Sequence, residues 1–194
     1  MNNAIILAGG ESSRVGENKA FLKFGNKTLI EIIIDELLKY FDNISIITLN
    51  IEEYSFIKNS KVKVFEDLIK DNASVLEAIY TGLYYSNTEY SFITSCDRPY
   101  INIELIKYLY SFTSDYDVIC PIYEFKAVSL HAVYSIKCLN LIKNKIDKGE
   151  KKINKLFRNF NVKYVQEEEI IKQFGSSKHL FQIKTYLDYL LCKN

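Results

Sequence analysis

A chain of 194 residues with 48% apolar residues is the length of one domain able to bury a substantial core, and residues 1–194 are expected to form a single domain. Its net charge of +1, with both signs interspersed, provides no strong field toward nucleic acid or an anionic membrane, so neither is expected as a partner. The four cysteines have no C-x-x-C spacing, and no apolar run reaches the length of a signal h-region or a span, so a reduced, metal-thiolate-free cytoplasmic protein is the expectation.

In chain order, residues 4–7 form an apolar run that reads as a buried strand and opens into Gly9-Gly10-Glu11-Ser12-Ser13-Arg14-Val15-Gly16. A Gly25-Asn26 turn precedes Thr28, which stands three residues before Glu31 as a capping box for a helix running to residue 41. Residues 43–49 read as a second strand ending at Asn50, residues 52–58 as a short helix, and residues 62–65 as a strand that delivers Glu66-Asp67. Ser74 and Glu77 make another capping box, opening a helix to about residue 85, and residues 90–94 form a strand followed by Asp97. The later third is predicted as a helix over 102–112, strands over 117–121 and 130–134, helices over 136–146 and 152–160, a strand over 162–165, and helices over 167–173 and 185–192. Strands alternating with helices imply mainly parallel strands joined by crossovers, with helices on both faces. The glycine loop, Asn50, Asp67 and Asp97 all follow predicted strands, and ligands of such sheets bind beyond the strands' carboxyl ends.

Gly9, Gly10 and Gly16 would permit positive φ angles and close approach of backbone N–H groups to an anion, and Arg14 and Lys19 would add mobile positive charge. On composition alone a phosphate cradle and an ordinary strand-to-helix turn both fit; the spacing is neither that of a P-loop nor a dinucleotide fingerprint. The whole run from Leu7 and Ala8 through Lys19 and Ala20, L-A-G-G-x-S-S-R-x-G-x-x-K-A, resembles the amino-terminal signature of the molybdenum cofactor guanylyltransferases within the nucleotidyltransferase superfamily. Val64-Phe65-Glu66-Asp67 resembles the family's strand-to-acid step, Ser95-Cys96-Asp97-Arg98-Pro99-Tyr100 its C-D-x-P-[FY] segment, and Lys148 to Lys152 a later basic turn. Two places depart. Ser74-Val75-Leu76-Glu77-Ala78 stands where the family carries G-P-L-A-G, and Gln182-Ile183-Lys184-Thr185 where it carries N-x-N-T.

The resemblance implies an α/β, three-layer Rossmann-like nucleotidyltransferase fold with a mostly parallel central sheet. It implies transfer of GMP from GTP to the terminal phosphate of molybdopterin, with release of pyrophosphate, in the presence of Mg²⁺. Arg14, Lys19 and Asp97 would be the catalytic residues; Leu7, Ala8, Gly9, Gly10, Lys19, Asn50, Asp67 and Asp97 would bind the nucleotide, and Asp97 the metal. Transient contact with other molybdenum cofactor biosynthesis proteins is also implied. A related enzyme using CTP or a sugar or alditol phosphate, and a nucleotide-binding protein without turnover, are the alternatives. Lys184 reads either as an exposed lysine opening the last helix or as a cation for the acceptor. His131, among apolar strand residues, reads as a satisfied core histidine, and His179 has no evident partner.

Overall fold

The structure, a computed structural model, describes residues 3–9, 18–69 and 74–193. In chain order its elements are strand β1 (Asn3–Leu7), strands β2 (Lys23–Phe24) and β3 (Lys27–Thr28), helix α1 (Leu29–Leu38), strands β4 (Asn43–Thr48) and β5 (Val62–Glu66), helix α2 (Val75–Tyr85) and strand β6 (Tyr90–Ser95). Helix α3 (Ile103–Tyr110), strands β7 (Val118–Tyr123), β8 (Lys126–Ala127) and β9 (His131–Ser135), helix α4 (Leu139–Ile146), strand β10 (Val162–Val165), and helices α5 (Glu167–Phe174) and α6 (Tyr186–Lys193) follow.

The main sheet has the order β10-β7-β9-β6-β1-β4-β5, with β8 paired to β7. β1 lies parallel to both β4 and β6, β4 to β5, and β7 to β10, whereas β9 runs antiparallel to β6 and β7. The sheet is therefore mostly parallel, with β9 and the short β8 reversed. Alternation along β1 divides the core: Ala4 and Ile6 join the cluster under α1, α3 and α5, and Ile5 and Leu7 the cluster under α2 and α4. Helices on both faces complete the expected three layers, and a central strand apolar on both sides is what a covered parallel sheet requires.

Both capping boxes form. Thr28 N–H donates to Glu31 at 2.7 Å while Glu31 N–H donates back at 3.4 Å, and Ser74 N–H donates to Glu77 at 2.6 Å with the return bond at 3.4 Å. Gly25 turns the β2–β3 hairpin at φ +62°. Gly82 has a different reason to be glycine: a Cβ there would stand 2.6 Å from Ile5 Cγ2, so α2 lies directly on β1.

Two expected helices differ. Residues 152–160 form two single 3₁₀ turns, Ile153–Lys155 and Phe157–Asn159, and residues 52–58 only the 3₁₀ turn Glu52–Tyr54. Apolar side chains at Ile153, Leu156 and Phe157 reach the core by either geometry, so their spacing does not distinguish the two. His131 is fully buried, as expected of a core histidine, but neither ring nitrogen has a partner among the described residues, so it is not satisfied.

Candidate active site

The carboxyl ends of β6, β1, β4 and β5 lie side by side, and the hydrogen-bond ladder continues one step past them. Ala8 N–H donates to Ile47 O at 2.8 Å, Cys96 N–H to Leu7 O at 3.0 Å, and Asp67 N–H to Thr48 O at 2.8 Å. Each loop that carries a candidate residue thus leaves the sheet from a fixed origin. The Tyr54 hydroxyl also donates to Ala8 O at 3.1 Å, which holds the first loop from the opposite side. Between these ends is a cleft of about 210 Å³, lined by Leu7 at the end of β1, Gly9 from the loop after it, Thr48, Asp67, Asp97, the start of α2 at Ser74, and Lys19.

Asp97 is the hub. The Ser95 hydroxyl donates to its Oδ1 at 2.6 Å; Lys19 Nζ at 3.1 Å and Gln182 Nε2 at 3.0 Å both donate to its Oδ2. Its carbonyl accepts from Ile183 N–H at 2.9 Å, so the segment before α6 is bound to the same turn. Lys19 arrives from a 3₁₀ turn capped by Asn18, whose side chain accepts from Ala20 N–H at 3.1 Å. A carboxylate offers about four lone-pair positions, and these donors occupy three. One remaining position suits a hard cation that takes a single protein carboxylate and draws its other ligands from phosphates and water, which is the way Mg²⁺ is commonly held. Among the described residues no group of three or more His, Cys, Asp and Glu forms a protein-only metal cage.

Asp67 sits on the far wall, buried. Its Oδ1 accepts from the Thr81 hydroxyl at 2.6 Å and from Ile69 N–H at 3.3 Å. Burial pushes its carboxyl above the usual range, against the opposing pull of those hydrogen bonds. Three of the four thiols are not candidate nucleophiles: burial pushes Cys96, Cys120 and Cys138 up to about 12.

Of the expected residues, Leu7, Gly9, Lys19, Asp67 and Asp97 line this cleft. Ala8 is buried behind it and contributes backbone. Gly9 differs from expectation in conformation, since its φ is not positive, and a Cβ there would make only ordinary contact with Leu49 at 3.4 Å. Asn50 is exposed and outside the cleft lining, with its side chain turned to Glu53 at 3.4 Å and to Glu52 N–H at 3.1 Å. Gly10, Arg14 and Gly16 lie outside the described residues. His179 has a partner after all, Asn102 at 3.1 Å.

Thr81 and Gln182 were not singled out for these roles. Thr81 stands seven residues beyond the Ser74 cap, on the buried face of α2, and a lone hydroxyl on an apolar face was its only signal. A second cleft of about 370 Å³ shares Leu130 and Gln182 with the first. It opens between the β7–β8 hairpin and the segment leading to α6, and Arg98, Lys126 and Lys184 reach it.

The profile of the MobA-like NTP transferase domain matches residues 4–167. A Clostridium perfringens protein named "Probable molybdenum cofactor guanylyltransferase" is 33% identical over 190 residues, covering 96% of this chain and 93% of that one. The crystal structure of molybdopterin-guanine dinucleotide biosynthesis protein A from Archaeoglobus fulgidus superposes with a TM-score of 0.85 at 20% identity, covering 100% of this chain and 97% of that one. The 2-C-methyl-D-erythritol 4-phosphate cytidylyltransferase of Thermus thermophilus superposes at 0.73 and 14% identity, covering 100% and 98%. Such structural likenesses establish the fold, and they include enzymes that use a different base.

Proposed function

Because the chain belongs to the MobA-like NTP transferase family, a family of nucleotidyltransferases, we propose that it transfers GMP from GTP to the terminal phosphate of molybdopterin, releasing pyrophosphate. The observation that carries this reading is the meeting of Gly9, Lys19 and Asp97 in one cleft at the carboxyl ends of parallel strands. A phosphate monoester is already ionised near neutral pH, so its oxygen attacks the α-phosphorus without a general base. The bond to the β-phosphate bridging oxygen breaks, and its electrons leave with pyrophosphate. Positioning and charge neutralisation are then what the protein must supply.

Lys19, with Arg14 from the first loop, neutralises the departing pyrophosphate, and the start of that loop supplies backbone. Asp97 is the residue that would hold Mg²⁺, whose contribution when bound is to neutralise charge on the reacting phosphates. Asp67 faces the cleft from the base side. A carboxylate accepts from both N1–H and the exocyclic amine of guanine, a pair of neighbouring donors that cytosine lacks. On the acceptor side stand Gln182, which already touches Asp97, and Lys184, which reaches the second cleft.

Pyrophosphate release measured with each of the four nucleoside triphosphates, with and without molybdopterin and Mg²⁺, tests the reading. Release with GTP that depends on molybdopterin is expected. Turnover with CTP equal to or above that with GTP overturns the base assignment. Lys184→Ala should raise KM for molybdopterin several-fold and leave KM for GTP nearly unchanged, as loss of a uniform binding contact does.

A further inference from the structure

Arg98 follows Asp97 directly, and its side chain turns the other way, into the second cleft. The residue is only 5% exposed. Its Nη1 donates to the Leu180 carbonyl at 2.5 Å, its buried Nε has no partner, and among the described residues no carboxylate lies within ion-pair distance of the guanidinium. A guanidinium keeps its charge in a protein at neutral pH. An unpaired cation in the interior is costly, and a guanidinium carries five donors of which one is used here. The cleft is basic in balance. Lys126 and Lys184 also line it, and of its two acids Asp188 is spent on Lys184 N–H and Thr185 N–H at 2.9 and 2.8 Å, leaving Glu124. Leu130 and Gln182 belong to both clefts, so an anion bound beside Arg98 lies next to the Asp97 turn.

We propose that Arg98 is the residue that grips the acceptor's phosphate monoester, with Lys184 as the second cation, and so presents the attacking oxygen to the nucleotide held across Asp97. The inference rests on the acceptor being a phosphate monoester, as proposed above. A planar fork suits two oxygens of one phosphate, and an interior position fixes its direction in a way an exposed lysine cannot. The donor triphosphate has its own cations in Lys19 and Arg14. Arg98 therefore serves the other substrate.

The chain has three arginines, Arg14, Arg98 and Arg158, so Nε–H spectra of protein labelled with ¹⁵N-arginine contain three signals, assignable by Arg14→Lys and Arg158→Lys without disturbing Arg98. Inorganic phosphate is titrated into wild-type protein saturated with a non-hydrolysable GTP analogue and Mg²⁺. The expected result is a saturable shift of the Arg98 signal, with the exposed Arg158 unmoved, and a several-fold weaker apparent affinity in Lys184→Ala. An Arg98 signal that does not move, or that moves only in parallel with Arg158, overturns the proposal. If the GTP analogue itself does not bind, the nucleotidyl-transfer reading fails, and the same titration of the nucleotide-free protein still decides the anion site. In turnover, Arg98→Lys should raise KM for molybdopterin about ten-fold with KM for GTP unchanged, whereas a strut that merely holds Leu180 would change both or neither.

Discussion

Two acids on opposite walls of the same cleft carry different burdens. Asp97 has three side-chain donors on its carboxylate, and its link to the segment before α6 runs through its backbone carbonyl, which a side-chain substitution leaves in place. Asp97→Ala should therefore keep the fold while turnover falls by about a hundred-fold or more, the loss typical of removing one charge-stabilising contact; near wild-type turnover with an unchanged melting temperature would remove Asp97 from the site. Burial raises the pKa of Asp67, and the charge of Glu77 acts in the same direction, so its charged form is disfavoured where it stands. Asp67→Asn keeps an oxygen for Thr81 and Ile69 while discarding the buried charge. The variant should melt at or above the wild-type temperature and yet lose preference for GTP over other triphosphates. That combination is the mark of a group retained for binding at the expense of stability. A variant that keeps its base preference would show that Asp67 does not reach the base.

At the scale of elements, α2 is the most constrained piece. Its amino end, at Ser74, forms one edge of the cleft, and Gly82 one turn from its other end sets its distance from β1. Gly82→Ala gains helix propensity of about 1 kcal/mol, but drives a methyl group into fully buried Ile5; overpacking of this kind costs about 1–3 kcal/mol, so a lower melting temperature is expected. A higher one would mean that Ile5 has room to turn. The two capping boxes make an internal comparison. Thr28→Ala and Ser74→Ala should each cost about 1 kcal/mol, seen as a fall in melting temperature of about 2–4 °C. Only the second lies on the cleft, so only Ser74→Ala should also raise KM for GTP. Both boxes were legible in the sequence because a cap is a local event, decided by residues three apart. The turns at 153–159 were not, because periodicity reports which residues face the core and not how many bonds close the turn. The reversal of β9 follows from chain length: the link from β7 is too short for a crossover of a dozen residues or more, so the two strands are antiparallel.

Across the molecule, a covered parallel sheet fixes where strand ends lie, and Gly9, Asp67 and Asp97 reach one cleft from such ends, whereas Asn50, also just past a strand, turns outward to Glu52 and Glu53. Contacts between distant segments were not legible: nothing in the spacing places Gln182 on Asp97, or Arg98 against Leu180. The same interior holds a stability device that local pattern could not show. His131 lies fully buried on β9 with Phe92 edge-on at 5.0 Å, and burial holds its pKa well below the usual value, with the charge of Arg98 and then His179 acting in the same direction. The unfolded chain takes up a proton at this residue near pH 6.5, and the folded chain does not. More protons bound by the unfolded state means that stability rises with pH, so the contribution is present above about pH 6.5 and is lost as pH falls toward the folded value, with a slope approaching about 1.4 kcal/mol per pH unit for one such group. His179, lowered by burial and by Lys178, adds in the same sense. His131→Met removes the titration and two unpartnered nitrogens together. The variant should match or exceed wild-type stability at pH 7.5, and its advantage should widen at pH 5.5 in thermal or denaturant melts; an advantage independent of pH would mean that the buried ring binds its proton in the folded state as readily as in the unfolded one.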